Sequence, residues 1–415
     1  MQRAVAASLL RKGESVLYNA GHSNDDMAAL SVITALGASI ETNKDSSVRI
    51  KSDGVFPIDG KVNCGESGLG IRMFAPIIAL SKEPMIIDGE GSLLTRPMDF
   101  FDEVLPKLGV SIQSRNGMLP LQIKGPLIPR DIEIDGSLSS QFLTGLLLSY
   151  AAAGASGVSI KVKNLKSWPY IDLTLEVMKV FGLKTPENNH YEEFKFASSG
   201  DSQEQIKIDA SPVRYTVEGD WSGAAFLLVA GAVSGSVKVR GILNTSTQAD
   251  KKIVDAILDA GAEVIVEEDS VFVKKKDLEA FEFNATDCPD LFPPLVALAA
   301  HCKGISRIRG VRRLKHKESD RGATLKEEFD KLSTQIDLND DEMLVHGNSG
   351  VFVKNHVLNS HHDHRIAMAC AVACFSADFD VQIRHAEAVN KSYPDFWQHI
   401  RSLGAAISDA SNVKQ

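Results

Sequence analysis

Three short segments concentrate groups able to move protons or hold anions. Lys317-Glu318-Ser319-Asp320-Arg321 puts two cations and two carboxylates into five residues. Glu318 and Arg321 stand three apart, so they share a face if the segment is helical. Asp290 follows Pro289 and precedes the apolar run that begins Leu291-Phe292. It serves there either as a helix N-cap or as a carboxylate whose pKa is raised by apolar surroundings, fit to act as a base. His361-His362-Asp363-His364-Arg365 offers three imidazoles and a carboxylate, which are metal-ligand types. The spacing is not H-E-x-x-H and no cysteine adjoins it. Polar contacts at a helix start, with Arg365 facing an anion, are the better reading, and no metal is expected.

Arg3, Arg72, Arg321 and Arg365 all fall at or near expected helix starts, and Arg96 precedes Pro97, a first-turn signal. A helix N-terminus already carries exposed N–H groups and partial positive charge, so another cation gains the helix nothing. An anion held there explains the placement. Solvated surface arginines would explain any one case but explain five equivalent ones poorly. The stretch Asn63 to Arg72 is glycine-rich before a helix, which suits either a phosphate approach or a turn. It lacks the dinucleotide fingerprint and the Lys-Ser/Thr of a P-loop. Ser139, Ser140 and Gln141 supply hydroxyls and an amide, suited to a phosphate or polyol or to a helix cap. Cys370 and Cys374 read as core residues. Trp168, beside a Pro turn, reads as packing or a lid.

The elements that must position these groups form a repeat. An amphipathic helix ending in a small residue, then a β-like run, recurs six times. The small residues are Gly37, Gly109, Gly182, Gly261, Ser333 and Gly404, at spacings of 72, 73, 79, 72 and 71. Such a position wants glycine because it takes positive φ. Each is preceded by a second, small-residue-rich helix that is apolar on most sides and therefore buried. Three repeats per domain fit the length. The widest spacing holds the polar stretch Pro186 to Glu204, which puts the domain boundary near residue 217, between 1–217 and 218–415. The first repeat is incomplete: Met1 sits directly on its buried helix, with no strand and loop before it. Either an N-terminal strand and loop have been lost, which is the expectation, or this repeat is built differently.

The 415 residues suit two domains, and 44% apolar content suits sizeable cores. With 45 Lys plus Arg against 54 Asp plus Glu, the net charge is -9. Such a chain is a poor nucleic-acid partner, and aromatics are scarce at 7%. An odd five cysteines without C-x-x-C argue against a disulfide framework and for a reducing cytoplasm. No membrane span or secretory signal is expected, since stretches such as Leu143 to Ala153 are short and interrupted by polar residues.

The segments GESGLGIR, LLTRPM, DGSLSSQF, SWPYIDLTL, VEGDWSGAA, CPDLFP, KESDR, DHRIAM and KSYPDFW, in this order, resemble the EPSP synthase family over essentially the whole chain. The resemblance implies an α/β fold of α+β repeats, a two-domain inside-out barrel with the active site in the cleft. It implies transfer of the enolpyruvyl group of phosphoenolpyruvate to the 5-hydroxyl of shikimate 3-phosphate by a monomer, with no cofactor. It assigns Arg3, Ser139, Ser140, Gln141, Ser167, Asp290, Arg313 and Lys317 to shikimate 3-phosphate. It assigns Gly68, Arg96, Gln141, Arg321, Arg365 and Lys391 to phosphoenolpyruvate. Asp290 resembles the acceptor of the hydroxyl proton, Glu318 the acid-base group at the methylene carbon, and Lys317 a lysine reaching both substrates. Arg313 stands where members carry Asn or Arg. Family members carry Ser-Lys-Ser a few residues before the equivalent of Arg3, whereas this sequence opens Met1-Gln2-Arg3; weakened binding and turnover are expected. The sister family acting on UDP-N-acetylglucosamine carries a reactive Cys on a Gly-rich loop, and Gly89 to Pro97 has none. A degenerate anion-binding member without catalysis stays open.

Overall fold

The computed structural model describes residues 1–198, 211–352, 357–377 and 379–408. The chain divides into two compact units, Met1–Val217 and Glu218–Gln415. The six small residues that mark the repeat all lie in the left-handed region, with φ of +99, +80, +69, +93, +61 and +105° in chain order. Five are glycine, which takes this conformation at no steric cost; Ser333 alone accepts it with a Cβ.

One sheet pattern recurs, a parallel pair extended by two antiparallel strands. In the second repeat it runs Lys61–Asn63, Met85–Asp88, Leu121–Lys124, Ser111–Gln113. The third uses Ile132–Asp135, Val158–Lys163, Glu193–Phe196 and Glu187–Asn189. The fifth uses Glu282–Asn284, Lys303–Arg309, Glu342–Asn348 and Ile336–Asn339. The first repeat completes its sheet from elsewhere in its unit: Val213–Thr216 pairs parallel with Gly13–Tyr18, which continues through Val48–Ser52 to Ser39–Thr42. The fourth sheet, among the described residues, has only the antiparallel strands Ser236–Arg240, Ser270–Lys274 and Glu263–Val266. The strand preceding its buried helix is the one that serves the first repeat. The sixth contributes the parallel pair Val357–Asn359 and Gln382–Arg384.

The polar stretch Pro186 to Glu204 is more than a spacer. It carries two strands of the third sheet, because Phe194 and Phe196 alternate inward and are fully buried. Residues of that stretch from 199 onward lie outside the described ones.

The first unit centres on three mutually packed helices, Gln2–Leu10, Gly68–Ile78 and Ser140–Ala152. The second centres on Trp221–Ser234, Phe292–Ala300 and His364–Ala373. Gly145 permits the closest approach in the first set. A Cβ there would stand 2.7 Å from the Arg72 carbonyl oxygen and 2.8 Å from that of Met73. No helix among the described residues is long and apolar enough to cross a membrane.

Three local expectations are corrected. Arg96-Pro97 does not open a helix: Arg96 is extended after the short turn Gly91–Thr95, and the next helix is Asp99–Val104. A proline disfavours helical geometry in the residue before it. Glu318 is not helical, since the helix Arg321–Lys331 starts at Arg321 under an Asp320 cap that accepts from the Ala323 N–H at 3.3 Å. Cys370 is buried, but Cys374 follows the last helical residue and is only partly so.

Candidate active site

In the second unit, the N-terminal ends of the central helices carry carboxylates. Asp220 caps Trp221–Ser234 by accepting from the N–H groups of Ser222 and Gly223, and Asp363 caps His364–Ala373 by accepting from Arg365 N–H at 3.0 Å. Asp290 sits in the turn Pro289–Leu291 leading into Phe292–Ala300. It is not the N-cap expected of it, a position Leu291 occupies. Its carboxylate is gripped by three cations. Lys317 Nζ lies 3.0 Å from Oδ1, Arg321 Nη1 2.7 Å from the same oxygen, and Arg365 Nη2 3.4 Å from Oδ2.

This grip overturns the expectation of a raised Asp290 pKa. Burial pushes it upward, but the charges of Arg365, Lys317 and Arg321 outweigh burial and hold the carboxyl well below its ordinary value. Lys317 is itself lowered, chiefly by burial, with Asp290 pulling the other way. Arg321 is the hub. Its Nε meets Asp363 Oδ2 at 2.7 Å, and its Nη2 meets Glu318 Oε2 at 2.6 Å and Asp363 Oδ1 at 3.2 Å. With its side chain 1% exposed, it serves three carboxylates from three separate segments. Arg313 donates to the Thr286 carbonyl at 2.9 Å and is lowered by burial. Lys391, buried, ends the turn Ala386–Lys391, which packs on His364–Ala373.

In the first unit the central helices likewise meet through polar groups near their N-termini. Ser67 caps Gly68–Ile78 and donates to Gln2 Oε1 at 3.0 Å. Arg72 donates to Gln141 Oε1 at 2.9 Å and lies over the Phe142 ring at 5.1 Å. Ser139 caps Ser140–Ala152, accepting from Gln141 N–H at 3.2 Å, and Ser140 is buried. Arg96 folds against Gly68, where a Cβ would lie 2.4 Å from Arg96 Nη1. Arg3 donates to Thr174 Oγ1 at 3.0 Å and stacks on the Tyr170 ring at 5.8 Å. Burial pushes it down to about 10, against the pull of Tyr170 and Tyr215. Ser167 is buried, in a left-handed conformation with φ +57°, just before the helix Pro169–Val180 that supplies Tyr170 and Thr174. Trp168 packs on Tyr191 with centroids 5.0 Å apart.

Asp363, Asp250, Tyr170 and Thr174 were not singled out as site residues by sequence reasoning. The first was visible inside the DHR motif. Asp250 is fully buried and accepts from the Ser222 hydroxyl; burial, then Asp290, pushes it up to about 6. No sequence pattern marks it. The five-residue histidine motif does not gather into one site. His361 turns to Glu327 and Glu328, while His362 stacks on His385 at 3.9 Å.

A family model described as EPSP synthase (3-phosphoshikimate 1-carboxyvinyltransferase) matches residues 1–400. The chain belongs to the EPSP synthase family. The 3-phosphoshikimate 1-carboxyvinyltransferases of Clostridium novyi (strain NT) and Clostridium acetobutylicum are 32% and 33% identical to it, over 99% of this chain and 94% of each relative. EPSP synthase from Acinetobacter baumannii superimposes with a TM-score of 0.78 at 22% identity, covering 97% of this chain and 92% of that one. The enolpyruvyl transferase NikO from Streptomyces tendae gives 0.74 at 18% identity, covering 98% and 93%. These two likenesses show the shared mixed α/β fold.

Proposed function

We propose that this EPSP synthase family member transfers the enolpyruvyl group of phosphoenolpyruvate to the 5-hydroxyl of shikimate 3-phosphate and releases inorganic phosphate. The observation that carries the reading is Asp290 held by Lys317, Arg321 and Arg365 beside Glu318. Two carboxylated phosphates repel each other strongly in a dry site, so several fixed cations are needed to hold them together. Phosphoenolpyruvate is held by Arg96, Arg321, Arg365, Lys391 and Gln141, with Gly68 leaving room. Shikimate 3-phosphate is held by Ser139, Ser140, Gln141, Ser167, Arg3 and Arg313, with Lys317 touching both.

In the proposed complex the anionic groups of the two substrates share Arg365 and Lys317 with Asp290, which raises the basicity of its carboxylate. Asp290 takes the 5-hydroxyl proton as that oxygen attacks C2 of the enol, while Glu318 delivers a proton to the methylene carbon, giving a methyl group in a tetrahedral adduct. Glu318 then takes back a methyl proton as the C–O bond to phosphate breaks, the proton held by Asp290 leaves with the phosphate, and the methylene is restored. Exclusion of water protects the adduct.

The inside-out barrel within each unit, the two units as N- and C-terminal domains, a monomeric state and a cytoplasmic location belong to the same proposal. Family resemblance supports them. The test is phosphate release with both substrates and with each alone. Release that needs both supports the reading, and release from phosphoenolpyruvate alone rejects it.

A further inference from the structure

We propose that Glu328 is a positioning residue of this site, a buried carboxylate that sets where Asp363 and Arg365 stand. The inference rests on the functional reading above for its kinetic test. Glu328 lies seven residues after Arg321 on the helix Arg321–Lys331, so the two project from nearly the same face. Its side chain is fully buried and accepts three hydrogen bonds: from Lys331 Nζ at 2.6 Å, from His361 Nε2 at 2.8 Å and from the Asn359 backbone N–H at 2.8 Å. Asn359 and His361 begin the loop that ends at Asp363, and Arg321 grips Asp363 at the far end. One helix therefore pins both ends of a five-residue loop. The loop needs pinning, because His361 and His362 both hold positive φ, +51 and +58°.

The loop's end point fixes the chemistry. Asp363 caps the helix that carries Arg365, and Arg365 reaches Asp290. Ligand atoms of Glu327, Glu328 and His361 lie within 4.8 Å of one another, a spacing open to a divalent cation. The Lys331 ammonium already sits on Glu328 and supplies the compensating charge, so the cluster reads as an anchor. Nothing in the helix sequence separates Glu328 from the solvated Lys and Glu around it.

The test compares wild type with Glu328→Gln and His361→Phe. Glu328→Gln keeps an acceptor for Asn359 but loses the charge facing Lys331 and His361. It should raise KM for phosphoenolpyruvate about tenfold, from the weakened charged hydrogen bonds, with KM for shikimate 3-phosphate unchanged. His361→Phe, at a partly exposed residue, should shift the same constant in the same direction by less. Calorimetric titration with inorganic phosphate should weaken in parallel. Lower melting temperatures with both KM values unchanged would overturn the positioning role, as would equal rises in both. If wild type releases no phosphate from the two substrates, the functional reading fails, while the phosphate titration still decides this one.

Discussion

Replacing Gly68 with alanine tests the proposed role of Arg96 in holding phosphoenolpyruvate. Gly68 needs no unusual backbone angle, so only space forbids a side chain. The new methyl would stand 2.4 Å from Arg96 Nη1 and 2.8 Å from Cζ and Nη2, whereas ordinary contact begins near 3.4 Å. The guanidinium must retreat by about 1 Å, and at 5% exposure Arg96 has little room for it. A charge-assisted hydrogen bond displaced by that distance is lost, at about 1.5–3 kcal/mol. That converts to roughly a 10- to 150-fold rise in KM for phosphoenolpyruvate. Steady-state kinetics with each substrate varied in turn should show that rise, with KM for shikimate 3-phosphate within about twofold, since no shikimate-phosphate group touches Gly68 in this account. An unchanged KM for phosphoenolpyruvate would refute the assignment of Arg96.

Two further outcomes follow from the second unit. Asp250 is pushed up to about 6 by burial and by Asp290, with Arg365 and the Ser222 hydroxyl opposing. The folded state thus holds its proton more tightly than the unfolded state, and the contribution of Asp250 to stability falls as pH rises from about 4 through 6. Asp250→Asn removes this slope, so its stability relative to wild type should climb by about 2 kcal/mol between pH 4 and pH 7.5; a pH-independent difference in urea unfolding would contradict it. Arg321→Met strands Asp290, Glu318 and Asp363 without their shared partner and should cost about 3–5 kcal/mol. A loss below about 1 kcal/mol by the same assay would show that the cluster relaxes freely.

Legibility in the sequence followed the range of the cause. The left-handed residues at Gly37, Gly109, Gly182, Gly261, Ser333 and Gly404 were readable because a helix C-terminus imposes positive φ locally. The arginines near Arg72, Arg321 and Arg365 were readable because the helix dipole makes a basic N-terminus anomalous. The source of the strand beside Gly13–Tyr18 was not readable, because Val213–Thr216 arrives from about 200 residues away. Asp290 misled for the same reason. Its neighbours in sequence are apolar and argue for a raised pKa, while the cations that lower it come from residues 317, 321 and 365. Glu328 hides among charged neighbours on its helix, and only the fold buries it.

In the proposed reaction Asp290 takes the 5-hydroxyl proton. Asp290→Asn removes the base and leaves Lys317, Arg321 and Arg365 in place with less to neutralise them. The readout is single-turnover phosphate release, measured alongside calorimetric affinity for each substrate. The rate should fall by about 10²–10⁴-fold, with phosphoenolpyruvate bound at least as tightly as by wild type. A rate within about threefold of wild type, which the loss of a general base does not allow, would contradict it.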